Sequence, residues 1–350
     1  MNLTFQALLR NWYEQNKRIL PWRSEPAPYY VWLSEIILQQ TRVSQGLNYF
    51  LHFVERWPKL ENLASASEEE VLKMWQGLGY YSRARNLLRC ARQVSTQYGG
   101  AFPADYAKLK QLQGIGDYTA AAIASIAFNL PYAVVDGNVY RVISRLFDIE
   151  TPINTREGQQ CIAQIADELL DHAHPGLHNQ AMMEFGALHC IPKNPDCQNC
   201  PIQAHCLSYA NHTTEKRPVK QDKTKTRTRY FNYLVFKTDG STYLHQRGTD
   251  DIWAKLYDFP LIESEKAISI DEVIVHPLFH QIVEQNNFTV GKASRIFTHK
   301  LTHQTLIVQF IEIILDKKIP NIETKNIFLT SEKDLGQFPI PRLIDLYLNS

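Results

Sequence analysis

Leu112–Phe128 reads LQGIGDYTAAAIASIAF. Its first five residues, Leu112-Gln113-Gly114-Ile115-Gly116, follow the order hydrophobic-x-Gly-hydrophobic-Gly expected of a hairpin between two helices. Each glycine allows a tight backbone turn without a Cβ clash. The Ala-rich stretch within Leu112–Leu130 is expected as one long helix starting near Tyr118. Its leading N–H groups and its dipole suit a phosphate oxygen, which makes Gly114 and Gly116 candidate phosphate-binding positions. Contact through the backbone is indifferent to base sequence. An ordinary helical corner would use the same glycines. Leu112, Ile115, the Ala-rich helix and an acidic residue twenty positions beyond Gly116 favour the helix-hairpin-helix reading.

Downstream, Cys190–Cys206 reads CIPKNPDCQNCPIQAHC, a Cys-x6-Cys-x2-Cys-x5-Cys run of Cys190, Cys197, Cys200 and Cys206. Four thiols this close suit one zinc ion or an iron–sulfur cluster, because thiolates select soft metals. A structural zinc site usually pairs two Cys-x2-4-Cys knuckles; a single knuckle with wide flanks favours one compact 4Fe–4S cluster over zinc or disulfides. Cys90 and Cys161 sit in helical patterns and read as buried thiols.

The chain has 350 residues, room for two domains at roughly 150 residues each. Hydrophobic content of 44% and charged content of 21% are ordinary for a globular protein. There is no long apolar run for a membrane span and no signal-peptide pattern in the amphipathic first helix, so a cytoplasmic address is expected. Net charge is only +1, so overall charge does not announce a nucleic-acid partner. Residues 216–229, KRPVKQDKTKTRTR, carry seven Lys/Arg and read either as a solvated linker or as one that also touches phosphates.

Residues 1–210 read as helices, among them Val31–Ser44 and Arg156–His172, with Ser67 and Glu70 forming a capping-box pattern. After a basic linker at 211–229 the chain turns β-rich, with strands expected at Tyr230–Lys237, Thr242–Gln246 and Leu306–Leu315. Short helical pieces are expected at Glu332–Leu335 and Pro341–Leu348. The expected architecture is therefore an all-α domain at 1–210 and a smaller α/β domain at 230–350.

Two carboxylates stand out. Asp136, in VVDGNVYRV, begins a new helix, where an Asp is often only an N-cap. Glu35, in VWLSEIILQQT, is an acid among apolar residues; it reads either as an edge-of-helix surface group or as an acid whose pKa is raised by burial. Together they suit glycosidic cleavage, in which one acid protonates the leaving group and one carboxylate faces an oxocarbenium-like sugar. Spacing of about a hundred residues does not say whether they meet.

The hairpin, the later Asp and the cysteine loop, in that order, resemble the endonuclease III superfamily of DNA glycosylases. Finer motifs resemble the MutY family of adenine glycosylases: LPWR (Leu20–Arg23), SEIILQQTRV (Ser34–Val43), GLGYYSRARNL (Gly77–Leu87), LQGIGDYTAAAIASIAF, VVDGNVYRV (Val134–Val142) and NQAMMEFGALHC (Asn179–Cys190). Superfamily members that also nick the strand carry a Schiff-base lysine where this chain has Tyr118, which has no amine, so the resemblance implies a monofunctional enzyme. It further implies a monomer acting on double-stranded DNA with adenine opposite 8-oxoguanine or guanine, the adenine flipped into a pocket. Glu35 would protonate the base, Asp136 would stabilise the sugar cation, Asn138 would help position water and sugar, and the four cysteines would hold one 4Fe–4S cluster. Trp22, Arg23, Leu38, Tyr118 and Glu184 match pocket residues, although Trp22 and Leu38 also suit plain core packing. Gln39 and Tyr80 match residues that enter the base stack, and Gln40 belongs to the same DNA-facing motif.

YLHQRGTDDIWAKLYDFPLIES (Tyr243–Ser264) resembles the Nudix-like module of that family, but no Glu-rich Nudix box is present, so no catalytic metal is implied. Phe297-Thr298-His299 falls where the family has a Phe-Ser-His recognition loop, and Thr298 keeps the hydroxyl. Tyr140 stands where some members have Lys, and no second cysteine site is expected. Two rival readings are a thymine-glycol-type glycosylase with lyase activity, opposed by Tyr118 and the second domain, and a non-catalytic iron–sulfur DNA-binding protein, opposed by Glu35 and Asp136.

Overall fold

The computed structural model describes residues 4–221, 227–284, 286–301, 303–319 and 326–350. It divides into two compact units, Met1–Ser65 with Asn86–Lys223, and Ala66–Arg85 with Thr224–Ser350.

The first unit is helical among its described residues. Its helices start where the chain supplies caps: Thr4 accepts from the Ala7 N–H, Asp105 from Lys108, Thr155 from Gly158 and Asp136 from Asn138 and Val139. Each such cap stabilises by about 1 kcal/mol. The core is built where helix Gly137–Leu146 buries Val139, Val142 and Ile143 against Ile162 of helix Arg156–Leu169 and Met182 and Phe185 of helix Pro175–Leu188. Phe5, Leu9 and Tyr13 of the amphipathic first helix, Phe5–Asn16, close the same cluster.

Two expected helices are interrupted. Val31–Ser44 is not one helix: Pro28–Leu38 ends, Gln40 takes a left-handed φ of 55°, and Val43–Arg56 begins. No glycine or proline marks that break, so periodicity alone ran through it. The Ala-rich helix is regular only over Asp117–Ala122 and continues as a single π turn, Ile123–Ala127. Arg156–His172 is helical only as far as Leu169.

In the second unit, helix Glu68–Met74 has the expected capping box, with Ser67 accepting from the Glu70 N–H and Glu70 reaching back. The sheet has β1 (Arg227–Thr238), β2 (Ser241–Gln246), β3 (Tyr257–Asp258), β4 (Leu261–Ser264), β5 (Phe288–Ala293), β6 (Phe297–Lys300), β7 (Gln304–Leu315) and β8 (Ile327–Ser331). The main order is β3-β2-β1-β7-β5, with β4 on β1, β6 on β7 and β8 on β2. The β1–β7 pair is parallel, from Arg227 opposite Gln304 to Lys237 opposite Ile314. β1 is central and covered on both faces, which is why YFNYLVFK is nearly continuous in apolar residues. Phe231, Tyr233 and Val235 face one core, with Leu343 and Ile344 of helix Arg342–Leu348. Leu234 and Phe236 face the other, with Val273, Phe279 and Ile282 of helices Ile270–Ile274 and Pro277–Val283. Glu332–Gln337 is a 3-10 turn.

The basic linker is not uniformly free. Arg217 is buried and pairs with Asp148 and Glu150, both at 2.8 Å, and Arg229 pairs with Asp251 at 2.8 Å and Glu263 at 2.6 Å. Residues 222–226 of that stretch lie outside the described residues.

Candidate active site

The structure brings Glu35 and Tyr118 into contact. Glu35 is carried by helix Pro28–Leu38, and the Tyr118 hydroxyl donates to Glu35 Oε2 at 2.5 Å and to the Met183 sulfur at 3.7 Å. Burial pushes the Glu35 carboxyl up to about 7, and the charge of Asp136 pushes the same way; the Tyr118 hydrogen bond and the Arg23 charge pull back. Burial raises the Tyr118 hydroxyl well above its ordinary value, so it remains a donor. Thus two acids a hundred residues apart in sequence share one electrostatic environment, which spacing alone left open.

Asp136 is both the N-cap of helix Gly137–Leu146 and part of this environment. Its Oδ1 accepts from the Asn138 and Val139 N–H groups at 2.8 Å each, and its Oδ2 from the Asn138 side-chain amide at 2.8 Å. Burial raises its pKa, while these donors and the Arg141 charge oppose that rise. Every one of those donors favours the carboxylate over the acid. The arrangement therefore supplies a carboxyl that holds its proton near neutrality, Glu35, and one solvated by fixed donors in its charged form, Asp136.

Glu184 behaves differently. Its buried carboxylate accepts from the Arg18 N–H and Nε at 2.9 Å each, from Arg18 Nη2 at 2.6 Å, and from both terminal nitrogens of Arg23 at 2.8 Å. Burial alone would raise its pKa, but the two guanidinium groups outweigh it and hold it at about 2. Glu184 thus spends its oxygens on pinning the Arg18–Arg23 segment to helix Pro175–Leu188. Trp22 is buried edge-on to Phe50 at 4.9 Å, and the half-buried Leu38 lies against Gly46, so both serve packing.

Gln39 donates to the buried Thr119 hydroxyl at 3.4 Å, while Gln40 is exposed. Gly114 has φ +78° and stands against Asn86, where a Cβ would come within 2.7 Å, so only glycine fits. Gly116 is different: its backbone is extended, it caps helix Asp117–Ala122 without a side-chain cap bond, and a Cβ there would meet nothing within 4 Å. Asp117, the first helical residue, is held by Tyr106 and Lys110. A cleft with about 510 Å³ of internal space borders Tyr118, lined also by Tyr106, Tyr132, Val135 and Tyr140.

In the second unit, Tyr80 is 45% exposed, with φ 49° and the Arg83 guanidinium 5.6 Å from its ring. Phe297-Thr298-His299 is strand β6 rather than a loop, because it pairs with Val308, Ile307 and Leu306 of β7. The alternation of a strand turns Phe297 edge-on to Phe310 at 5.6 Å, places His299 at 6.0 Å from Trp253, and leaves Thr298 exposed on the opposite face.

Cys190, Cys197, Cys200 and Cys206 line one largely apolar cavity of about 30 Å³, and none forms a disulfide. Among the described residues no three His, Cys, Asp or Glu side chains converge as a metal site. The donor set nonetheless fits a soft, thiolate-bound group: four free thiols around one space, with burial raising Cys200 to about 12 unless a cation replaces its proton. Arg145, only 2% exposed, supports the loop by donating to Cys190 Sγ at 3.4 Å, Ile191 O at 2.7 Å and Pro192 O at 3.0 Å.

Arg18, Thr119, Arg141, Asn179 and Met183 were not singled out in the sequence. Arg141 had a usable signal, since it lies three positions after Asn138 on one helix face and their side chains bond at 2.8 Å. The others are reached only across the fold.

Residues 33–166 match the HhH-GPD superfamily of base excision DNA repair proteins, and residues 232–350 match a NUDIX domain. The chain is 33% identical to the adenine DNA glycosylase of Buchnera aphidicola subsp. Baizongia pistaciae, over 90% of this chain and 87% of that one. The chain belongs to the adenine DNA glycosylases. The human adenine DNA glycosylase is 47% identical over 58% of this chain, though over only 39% of its own length. A solved thermostable thymine-DNA glycosylase matches with a TM-score of 0.55 at 28% identity, over 59% of this chain and 95% of that one. A trapped endonuclease III–DNA intermediate matches in fold, with a TM-score of 0.52 at 20% identity over the same share of each. Membership makes this adenine DNA glycosylase family protein a base-excision repair enzyme. Its first unit carries the helix-hairpin-helix glycosylase fold, and its second a Nudix-like fold built on a mixed sheet. None of its described helices is long and apolar enough to cross a membrane.

Proposed function

We propose that the enzyme removes adenine paired with 8-oxoguanine or guanine in double-stranded DNA, by hydrolysis of the N-glycosidic bond and without strand cleavage. The observation that carries this reading is the pairing of Glu35, whose proton is retained to about 7, with Asp136, whose charged form is held by three donors. The adenine leaves the base stack and enters the pocket beside Trp22, Arg23 and Leu38, with Glu184 holding Arg23 in place. Glu35 gives its proton to the adenine ring as the bond to C1′ breaks and the electron pair leaves with the base. The positive charge left on the sugar is met by the Asp136 carboxylate. Water, oriented with Asn138, adds to C1′ and loses its proton to a carboxylate. The products are free adenine and an abasic site. Tyr118 orients Glu35 and has no amine with which to open the sugar.

Gly114 and Gly116 carry the DNA backbone at the hairpin, and Gln39, Gln40 and Tyr80 serve the strand around the vacated position. Residues 1–210 form the catalytic domain, 211–229 the linker and 230–350 the domain that reads the oxidised guanine, through Phe297, Thr298 and His299. Cys190, Cys197, Cys200 and Cys206 would hold one 4Fe–4S cluster; when bound, it supplies a rigid, soft-metal core for the loop. The protein acts as a monomer in the cytoplasm, on nucleoid DNA.

The test is single-turnover excision on a duplex with one adenine opposite 8-oxoguanine, quenched with and without alkali. Strand breaks only after alkali support the proposal. Breaks without alkali would mean lyase chemistry, and no breaks under either quench would return the protein to DNA binding alone or to another base.

A further inference from the structure

Asn179 is 2% exposed and sits between three segments of the first unit. It lies on helix Pro175–Leu188. Its Oδ1 accepts from the Val134 N–H at 3.0 Å, two residues before Asp136. Its Nδ2 donates to Ser125 Oγ at 2.8 Å, in the π turn that continues the Tyr118 helix, and to Tyr132 O at 2.8 Å. One side-chain amide therefore ties the segment leading into Asp136 to the helix that carries Tyr118.

The surroundings make this tie specific. Val134 and Ser125 are each 1% exposed, so losing a partner there carries the cost of an unmade buried hydrogen bond. Gly176, one turn before Asn179, lies so close to the π turn that a Cβ there would stand 2.5 Å from Ser125 O. That approach brings Asn179 within reach of Ser125. The π turn itself widens the helix by one residue, and such turns often mark functional positions. A buried amide with an acceptor and two donors all engaged fixes both distance and orientation, which an apolar contact does not.

The geometry points to Asn179 as a positioning residue: it sets the Asp136 carboxylate relative to Tyr118 and Glu35 without touching substrate. This rests on Glu35 and Asp136 being the reacting carboxylates. A shift of a reacting group by an ångström costs about a hundredfold in rate, whereas duplex binding rests on other contacts.

The experiment compares Asn179→Leu, Asn179→Asp, Ser125→Ala and Glu35→Gln by single-turnover excision at saturating enzyme. Duplex affinity and thermal unfolding are measured on the same preparations. Asn179→Leu should lose about 10- to 100-fold in the chemical step with affinity within about threefold. Asn179→Asp keeps the acceptor for Val134 and should recover part of that loss. Ser125→Ala removes one partner, tests the tie without a hole at Asn179, and should cost less than about fivefold. Full excision rates in the Asn179 variants, beside a dead Glu35→Gln, would overturn the positioning role alone. Retained excision in Glu35→Gln would overturn the catalytic reading beneath it. A rate loss in Asn179→Leu matched by equal losses of affinity and folded fraction, with Asn179→Asp no better and Ser125→Ala unaffected, would make the residue merely structural and also overturn the inference.

Discussion

Arg141 donates from Nε to the carbonyl oxygen of Cys190 at 2.8 Å. Its Nη2 donates to Asn138 Oδ1 at 2.8 Å and to Gly186 O at 2.7 Å, and Asn138 in turn donates to Asp136. The first cysteine of the loop and the candidate catalytic carboxylate are thus two side chains apart. Replacing Arg141 by Gln removes the charge and shortens the reach, so Asn138 loses the partner that orients it. The excision rate constant of Arg141→Gln should fall about tenfold, about 1.4 kcal/mol in barrier, with a smaller change in duplex affinity. An unchanged rate would mean that Asn138 is oriented by Asp136 alone.

The Glu35 carboxyl donates only while protonated. With its pKa raised to about 7, excision should fall about tenfold per unit above that pH. In the proposed reaction Asp136 works in the opposite form, and its raised pKa brings a loss of rate on the acid side. Tyr118→Phe removes the hydrogen bond that favours the Glu35 carboxylate, so the alkaline limb should move to higher pH. Asp136→Asn removes a charge that raises the Glu35 pKa, so in whatever activity remains that limb should move lower. pH profiles of single-turnover rates decide both shifts.

Glu184 is held at about 2, below the ordinary 4.5, by Arg18 and Arg23. A carboxylate whose pKa is depressed on folding contributes stability that is complete above about 4.5 and is lost as pH falls towards 2. Glu184→Gln should cost about 3 kcal/mol at neutral pH, because two arginines are left beside a buried amide. It should also flatten the acid side of the stability profile between those limits. Urea unfolding at several pH values measures both.

Cys200 is buried enough that its thiol sits near 12, so it becomes a metal-binding thiolate only if a cation displaces the proton. Cys200→Ser should therefore lose bound iron and its visible absorbance together, and weaken duplex binding. Iron content equal to the parent protein would remove Cys200 from the ligand set. A stable iron-free protein that binds DNA normally would separate the loop from the DNA surface.

Much of this was legible residue by residue. The Ser67–Glu70 capping box, the central strand YFNYLVFK and the Gly114 turn all depend on neighbours within a few positions, and each formed as its local chemistry required. The break after Leu38 and the π turn after Ala122 were not legible, because neither carries a glycine or proline signal. β6 was mistaken for a loop since four residues, FTHK, are too short to declare a strand without knowing that β7 lies alongside.

The sequence by itself determined the residue types: an acid among apolar neighbours, an Asp at a helix start, a tyrosine where a lysine would change the chemistry, and four clustered thiols. Only the tertiary structure decided that Glu35 feels Asp136, that Glu184 serves two arginines, and that Asn179 joins the Tyr118 and Asp136 segments. Burial and long-range hydrogen bonds set those relations. Both come from packing residues 45 to 166 positions apart, and neither leaves a periodic trace in the chain.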